Sequence, residues 1–144
     1  MEISEKVAYL KGLAEGLALD SDTKEGKLIA AIIDVLDDMA ETLEDAGGVG
    51  LAAPQVGILR RAVVIDVGDG LVELVNPVIV ESDGQQSGPE GCLSIPGRSG
   101  VVTRPNHVKV RAQDPEGNPV ELEAQEFFAR AVCHELDHLD GVLY

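Results

Sequence analysis

His134-Glu135-Leu136-Asp137-His138 is the segment of this sequence with the densest chemistry. On a helix, residues four apart stand one turn above each other on one face, so both imidazoles can reach a single metal ion. Glu135 is offset by one residue, near enough to touch a metal-bound water without being a ligand. Two histidines buried beside a glutamate need compensation, and a metal supplies it. Two ligands are not a site, because a catalytic zinc-type centre keeps three protein ligands and a fourth position for water. Only six residues follow His138, so the third ligand is expected upstream.

Cys92 and Cys133 are the two cysteines. A free cysteine is by default a small buried apolar residue. Cys133 precedes His134 and so projects about 100° away from it on a helix, which marks it as structural. Cys92 lies in Glu90-Gly91-Cys92-Leu93-Ser94, a short glycine-preceded stretch that reads as loop, not as aliphatic strand. It is the expected ligand. Thiolate with imidazole suits Fe(II) and Zn(II) alike.

A third segment, Gly48-Val49-Gly50-Leu51-Ala52-Ala53-Pro54-Gln55, is a glycine-rich turn entering small residues. It has neither the spacing of a dinucleotide fingerprint nor the Gly-Lys-Ser/Thr ending of a phosphate loop. Its glycines allow close approach of a substrate backbone, and Gln55 offers an amide donor.

The elements that must position these residues follow from periodicity. Ile3, Val7, Leu10, Ala14 and Leu17 form an amphipathic stripe, and Leu28, Ile32, Val35, Met39 and Leu43 form a second. Asp22 with Glu25 resembles a capping box that opens the second helix, and Gly47-Gly48 closes it. Asp34, Asp38, Glu41 and Asp45 give that helix a solvated acidic stripe. Beyond Gly48 the pattern changes to short β-rich runs at 61–67, 71–80, 107–113 and 119–123, the last two flanking an Asp114-Pro-Glu-Gly-Asn118 turn. A last helix over 124–139 has two adjacent apolar stripes, which predicts that the sheets enclose it. The predicted class is α+β: antiparallel sheets packed around a central helix carrying the H-E-x-x-H, preceded by N-terminal helices.

The chain has 144 residues, and 44% apolar content supports one domain with a proper core. Aromatic residues are 3% and Trp is missing, so that core must be aliphatic. Eleven Lys and Arg against 26 Asp and Glu give a net charge of -15, with no basic run. Polyanions would be repelled, so no direct nucleic-acid partner is expected. The Leu28–Ile33 apolar run is far below the ~20 residues of a membrane helix, and residues 1–20 carry too many charges for a signal peptide. A cytoplasmic protein without a membrane partner is expected.

The three segments, in this order, resemble peptide deformylase, whose pattern is G-x-G-L-A-A-P-Q, then E-G-C-L-S, then H-E-x-x-H. Residues 48–55, 90–94 and 134–138 match it, and Ser94-Ile-Pro96 and the tail 138–144 are family-like. The resemblance covers roughly residues 24–144. It implies that Cys92, His134 and His138 hold one divalent metal ion, commonly Fe(II), with Zn(II), Ni(II) or Co(II) able to replace it. It implies that Glu135 is the general acid/base and that Gln55 and the Leu93 backbone N–H stabilise the oxyanion. Gly48, Gly50 and Gly91 would line the track for an N-formylmethionyl peptide, and Val49, Glu90, Phe127, Ala131 and His134 the methionine pocket. Residues 1–46 are expected to form a helical segment where the family usually opens extended, and 47–144 would be the catalytic core of a single domain. The family's ribosome-docking C-terminal helix has no counterpart before Tyr144, so ribosome docking is not expected. Two other readings are an H-E-x-x-H endopeptidase, which leaves Cys92 unexplained, and a non-enzymatic helical interaction protein with a degenerate metal domain.

Overall fold

A computed structural model describes residues 23–144. The helix predicted through Ile3 to Leu17 lies outside the described residues. The second predicted helix is α1 (Lys24–Ala46). Its N-cap is Thr23, one residue beyond Asp22, with the Thr23 hydroxyl accepting from the Gly26 N–H at 3.0 Å. The buried face runs through Leu36, Met39, Ala40 and Leu43, so the helix is turned slightly from the predicted stripe, leaving Ile32 and Val35 half-buried. Asp34, Asp38, Glu41 and Asp45 are exposed as expected.

Seven strands follow: β1 (Gly50–Ala52), β2 (Ala62–Ile65), β3 (Val72–Asp83), β4 (Gln86–Cys92), β5 (Ile95–Arg104), β6 (His107–Gln113) and β7 (Pro119–Gln125). The second α-helix among the described residues, α2 (Glu126–Leu139), closes the order, and a 3-10 turn (Ala53–Val56) joins β1 to the loop before β2. Strands β1-β2-β3-β6-β7 form one antiparallel sheet, and β4 with β5 forms a separate hairpin. Pro77 does not end β3, because it sits at a bulge. Asn76 takes a φ of 51° there and the register with β6 shifts between Val75 and Val78, a place where a missing N–H costs little. The Asp114 carboxylate accepts from the Glu116 and Asn118 N–H groups and fixes the β6–β7 turn.

Strands β1, β4 and β5 carry no alternating apolar signal. The β4–β5 hairpin is built of Gly, Pro, Ser and polar residues and is largely exposed, so the Glu90–Ser94 stretch is a strand end plus a two-residue turn, not a loop. Only hydrogen bonding to a partner strand reveals it.

β2 is buried along its whole length and faces two cores. Val63 and Ile65 join Leu74, Val108, Val110, Val132 and Leu136 against α2. Ala62 and Val64 join Leu36, Met39, Leu43 and Leu51 against α1. As the composition required, both cores are aliphatic.

Gly47 ends α1 in the left-handed region at φ 64°, where its N–H donates to the Glu44 carbonyl at 3.1 Å. A Cβ at this position would meet no atom within 4 Å, so only the backbone conformation demands glycine. Gly47→Ala is expected to cost about 1 kcal/mol, the left-handed penalty of a side chain, measured by urea unfolding.

Candidate active site

Three segments converge on one point. α2 carries His134 and His138, both buried, with Nε2 atoms 3.1 Å apart. The end of β4 brings the Cys92 sulfur to 3.3 Å from His138 Nε2. The ligand-type atoms of all three residues lie within 4.8 Å of one another. Cys133 is buried elsewhere, in the α2 core, where burial pushes its thiol pKa up.

The far nitrogens decide the tautomers. His134 Nδ1 lies 3.2 Å from a Glu90 carboxylate oxygen, and His138 Nδ1 lies 2.9 Å from the Val142 carbonyl. Both partners only accept, so each Nδ1 carries the proton and each Nε2 presents a lone pair. Two lone pairs at 3.1 Å beside a sulfur repel unless a cation sits among them. Burial is the largest influence on His138 and lowers its pKa, which favours the neutral ligand form. A thiolate and two neutral imidazoles, each oriented through its second nitrogen, are a fitting donor set for a divalent transition metal.

Glu135, also on α2, lines the same cavity as Cys92 and His134. It is 4% exposed, and its Oε2 is buried without a hydrogen-bond partner. Burial, then the nearby charge of Glu90, push its pKa up to about 8. The acid fits there because Gly50 has no side chain; a Cβ on Gly50 would lie 2.5 Å from the Glu135 carboxylate.

Gln55 stands on the 3-10 turn with its Oε1 accepting from the Ala52 N–H at 2.9 Å. That bond aims Nε2 outward, donating to the Ser94 hydroxyl at 2.9 Å and passing 3.7 Å from the Cys92 sulfur. Leu93 occupies the β4–β5 turn, and its side chain crosses Gly48, where a Cβ would approach it to 2.9 Å. A cavity of about 560 Å³ opens between the Gly47–Gly50 segment and the end of β4. Ala131 and His134 form its buried wall, while Val49 and Phe127 are exposed at its rim. Gly91 also lines it.

Glu90 reaches this cavity, but its carboxylate is committed elsewhere. Arg104 binds both oxygens at 3.0 Å, Arg130 binds one at 3.1 Å, and His134 takes the other. Burial pushes the Glu90 pKa up, and the bonds from Arg104 and His134 more than offset this, leaving it below its ordinary value. Arg104 also pairs with Asp137, one residue before His138. Sequence reasoning missed Arg104, Arg130 and Val142. Glu90 and Asp137, acids beside the ligands, were the available sign that a buried cation must face them. Arg104 is therefore no part of a basic surface patch with the exposed Arg60, Arg61 and Arg98.

Residues 18–144 match the family model for polypeptide deformylase. The chain belongs to the peptide deformylase family. A peptide deformylase of Caldanaerobacter subterraneus subsp. tengcongensis is 53% identical over 138 residues, covering 96% of this chain and 87% of the relative, so the likeness reaches well into the segment before Gly47. One of Agathobacter rectalis is 61% identical over 113 residues, covering 78% of this chain and 72% of the relative. Among solved structures, the peptide deformylase of Thermotoga maritima superposes with a TM-score of 0.78 at 43% identity, covering 79% of this chain and 78% of that one. The K1U-bound class I type b peptide deformylase of Acinetobacter baumannii gives 0.77 at 40% identity, covering 78% of each. The activity is deformylation, a hydrolase reaction of protein biosynthesis on a formylated nascent peptide. Metal binding is general for deformylases, and Cys92, His134 and His138 offer a possible site for a divalent ion.

Gly50 gives this deformylase site a direct test. In Gly50→Ala the three atoms nearest the new Cβ all belong to Glu135, so that side chain must shift. Bound metal, read by elemental analysis, is expected to match the parent, while deformylase kcat falls about 100-fold, as the displacement of a side chain packed in the site would cause.

Proposed function

We propose that this chain removes the formyl group from N-formylmethionine at the start of nascent peptides, with Cys92, His134 and His138 holding the ion and Glu135 moving the proton. The observation that carries the reading is the gathering of three donor atoms within 4.8 Å of one another beside a cavity that Glu135 also lines, with one of its carboxylate oxygens buried and unpartnered. When bound, a divalent ion polarises the formyl carbonyl and brings the pKa of water toward neutrality. Fe(II) is the ion proposed for the cell, with Zn(II), Ni(II) or Co(II) suited to the same donors.

Glu135 accepts a proton from the attacking water and delivers it to the leaving amine, so that formate and a free N-terminus depart. Its raised pKa, produced by burial, suits a group that must both take and release a proton. Gln55 Nε2 and the Leu93 N–H donate to the formyl oxygen as charge develops on it. The bond from Ala52 N–H to Gln55 Oε1 supports that role, since it holds the amide in one orientation. Among the described residues β1 pairs with β2 alone, and β4 with β5 alone, which leaves open strand edges beside the cavity. Gly48, Gly50 and Gly91 then let an extended peptide lie between them as an added strand. Val49, Phe127 and Ala131, with His134, receive the methionine side chain. Glu90 borders that pocket and acts through His134.

Residues 1–144 form one deformylase domain in this proposal, working in the cytoplasm without nucleic-acid, membrane or ribosome docking. No helix among the described residues is long and apolar enough to cross a membrane. The net charge of -15 supports the exclusion of polyanions. No specific observation favours the non-enzymatic alternative.

Turnover of formyl-Met-Ala-Ser, measured beside metal content, tests the reading. The parent is expected to release formate with one ion per chain, and a metal-loaded protein without turnover would overturn the proposal. Cys92→Ala should lose most of its metal, because two ligands remain, whereas Cys133→Ser should keep it. Glu135→Gln should keep metal and fold but lose ~10²–10⁴-fold in turnover.

A further inference from the structure

α2 stops at Leu139 and the chain turns back along it. Gly141 takes a φ of 79°, its N–H donates to the His138 carbonyl at 3.1 Å, and the Val142 N–H donates to the Asp137 carbonyl at 2.9 Å. This pair of bonds is the Schellman arrangement, which needs a left-handed residue at the reversal. The reversal has a consequence for the site. It carries the Val142 carbonyl to His138 Nδ1, and two residues later it lays the Tyr144 ring on the His134 ring, with centroids 5.8 Å apart and planes 28° from parallel.

The edge of that ring faces the hairpin: a Cβ on Gly100 of β5 would lie 3.6 Å from Tyr144 Cε2, an ordinary van der Waals distance. Gly100 is the cross-strand partner of Glu90, the residue that holds His134 Nδ1. One rung of the hairpin thus borders His134 on two sides, with Glu90 bonded to the ring's edge and Gly100 beside the Tyr144 ring that covers its face. A single hydrogen bond at Nδ1 leaves an imidazole free to rock, because its χ2 torsion is broad. A stacked ring removes that freedom.

We propose that Gly141–Tyr144 is a strap that orients both imidazoles for metal binding, with Tyr144 as the positioning residue that sets the plane of His134. This rests on the reading of Cys92, His134 and His138 as ligands. Tyr144 acts through His134 and has no part in proton transfer. The hydroxyl is dispensable, since the ring face makes the contact.

The test uses the full chain loaded with Co(II), comparing the parent with Tyr144→Phe and Tyr144→Ala. Release of Co(II) to excess chelator and the visible absorption of the bound ion are recorded, together with thermal melting of the metal-free proteins. Tyr144→Ala is expected to release Co(II) about tenfold faster and to shift the absorption bands, in line with lost support of a ligating histidine. Tyr144→Phe should stay within about twofold of the parent, because the stack survives. Equal release rates and spectra for Tyr144→Ala and the parent would overturn the strap. So would a Phe variant that behaves like the Ala variant, or a loss of metal-free stability in Tyr144→Ala large enough to account for faster release. Failure of the parent itself to bind one Co(II) per chain would bring down the ligand reading, and the strap with it.

Discussion

Glu90 is a carboxylate taken out of water at the junction of the two halves of the fold, and the site depends on how it is satisfied. Arg104 from the far end of the hairpin and Arg130 from α2 bind it from two sides, and His134 takes the remaining position. An isolated buried charge is costly, and removing one partner of such a cluster is worse than never building it. The hairpin is therefore tied to α2 in one register. Arg130 extends the tie by donating to the carbonyls of Gly88 and Val102, which face each other across β4 and β5. Cys92 lies two residues beyond Glu90, so the bond that satisfies the carboxylate also delivers the sulfur to the histidines.

Rigidity on the other side comes from apolar packing. β2 is buried by α1 on one face and α2 on the other, and β1 hangs from β2 through three register pairs. Gly50, first of those paired residues, sits against Glu135. The position of Glu135 is thus set by a sandwich of aliphatic side chains, and that of the Cys92 sulfur by a buried ionic cluster. The two kinds of force meet along one helix. Its outward acids and arginines are matched to the hairpin, and its apolar residues to the sheet.

Both halves of that division shape the electrostatics. Glu90 is held ionised by its cationic partners, and its charge adds to burial in raising the pKa of Glu135. Two acids within one site are pushed in opposite directions by their surroundings. One is held as an anion that orients His134, and the other is pushed toward its protonated form.

By itself the sequence determined the chemistry and the local elements. The i, i+4 histidines with the offset glutamate depend only on helical geometry, so their convergence was legible in residues 134–138, and the order of three motifs identified the family. The boundaries of β6, the cap at Gly47 and the polar β6–β7 turn were legible for the same reason, because each is governed by neighbours in the chain. Tertiary structure decided what depends on partners far away in sequence. The β4–β5 hairpin is largely exposed, Val101 included, and carries no periodic signal, so its strands exist only through pairing. Arg104 and Arg130 look like surface cations until the fold sets them on Glu90 and Asp137. Tyr144 looks like a chain end until a left-handed glycine lays it on His134. Periodicity records burial on one element, whereas a buried charge or a ring stack is a property of two elements brought together, and no spacing within either one encodes it.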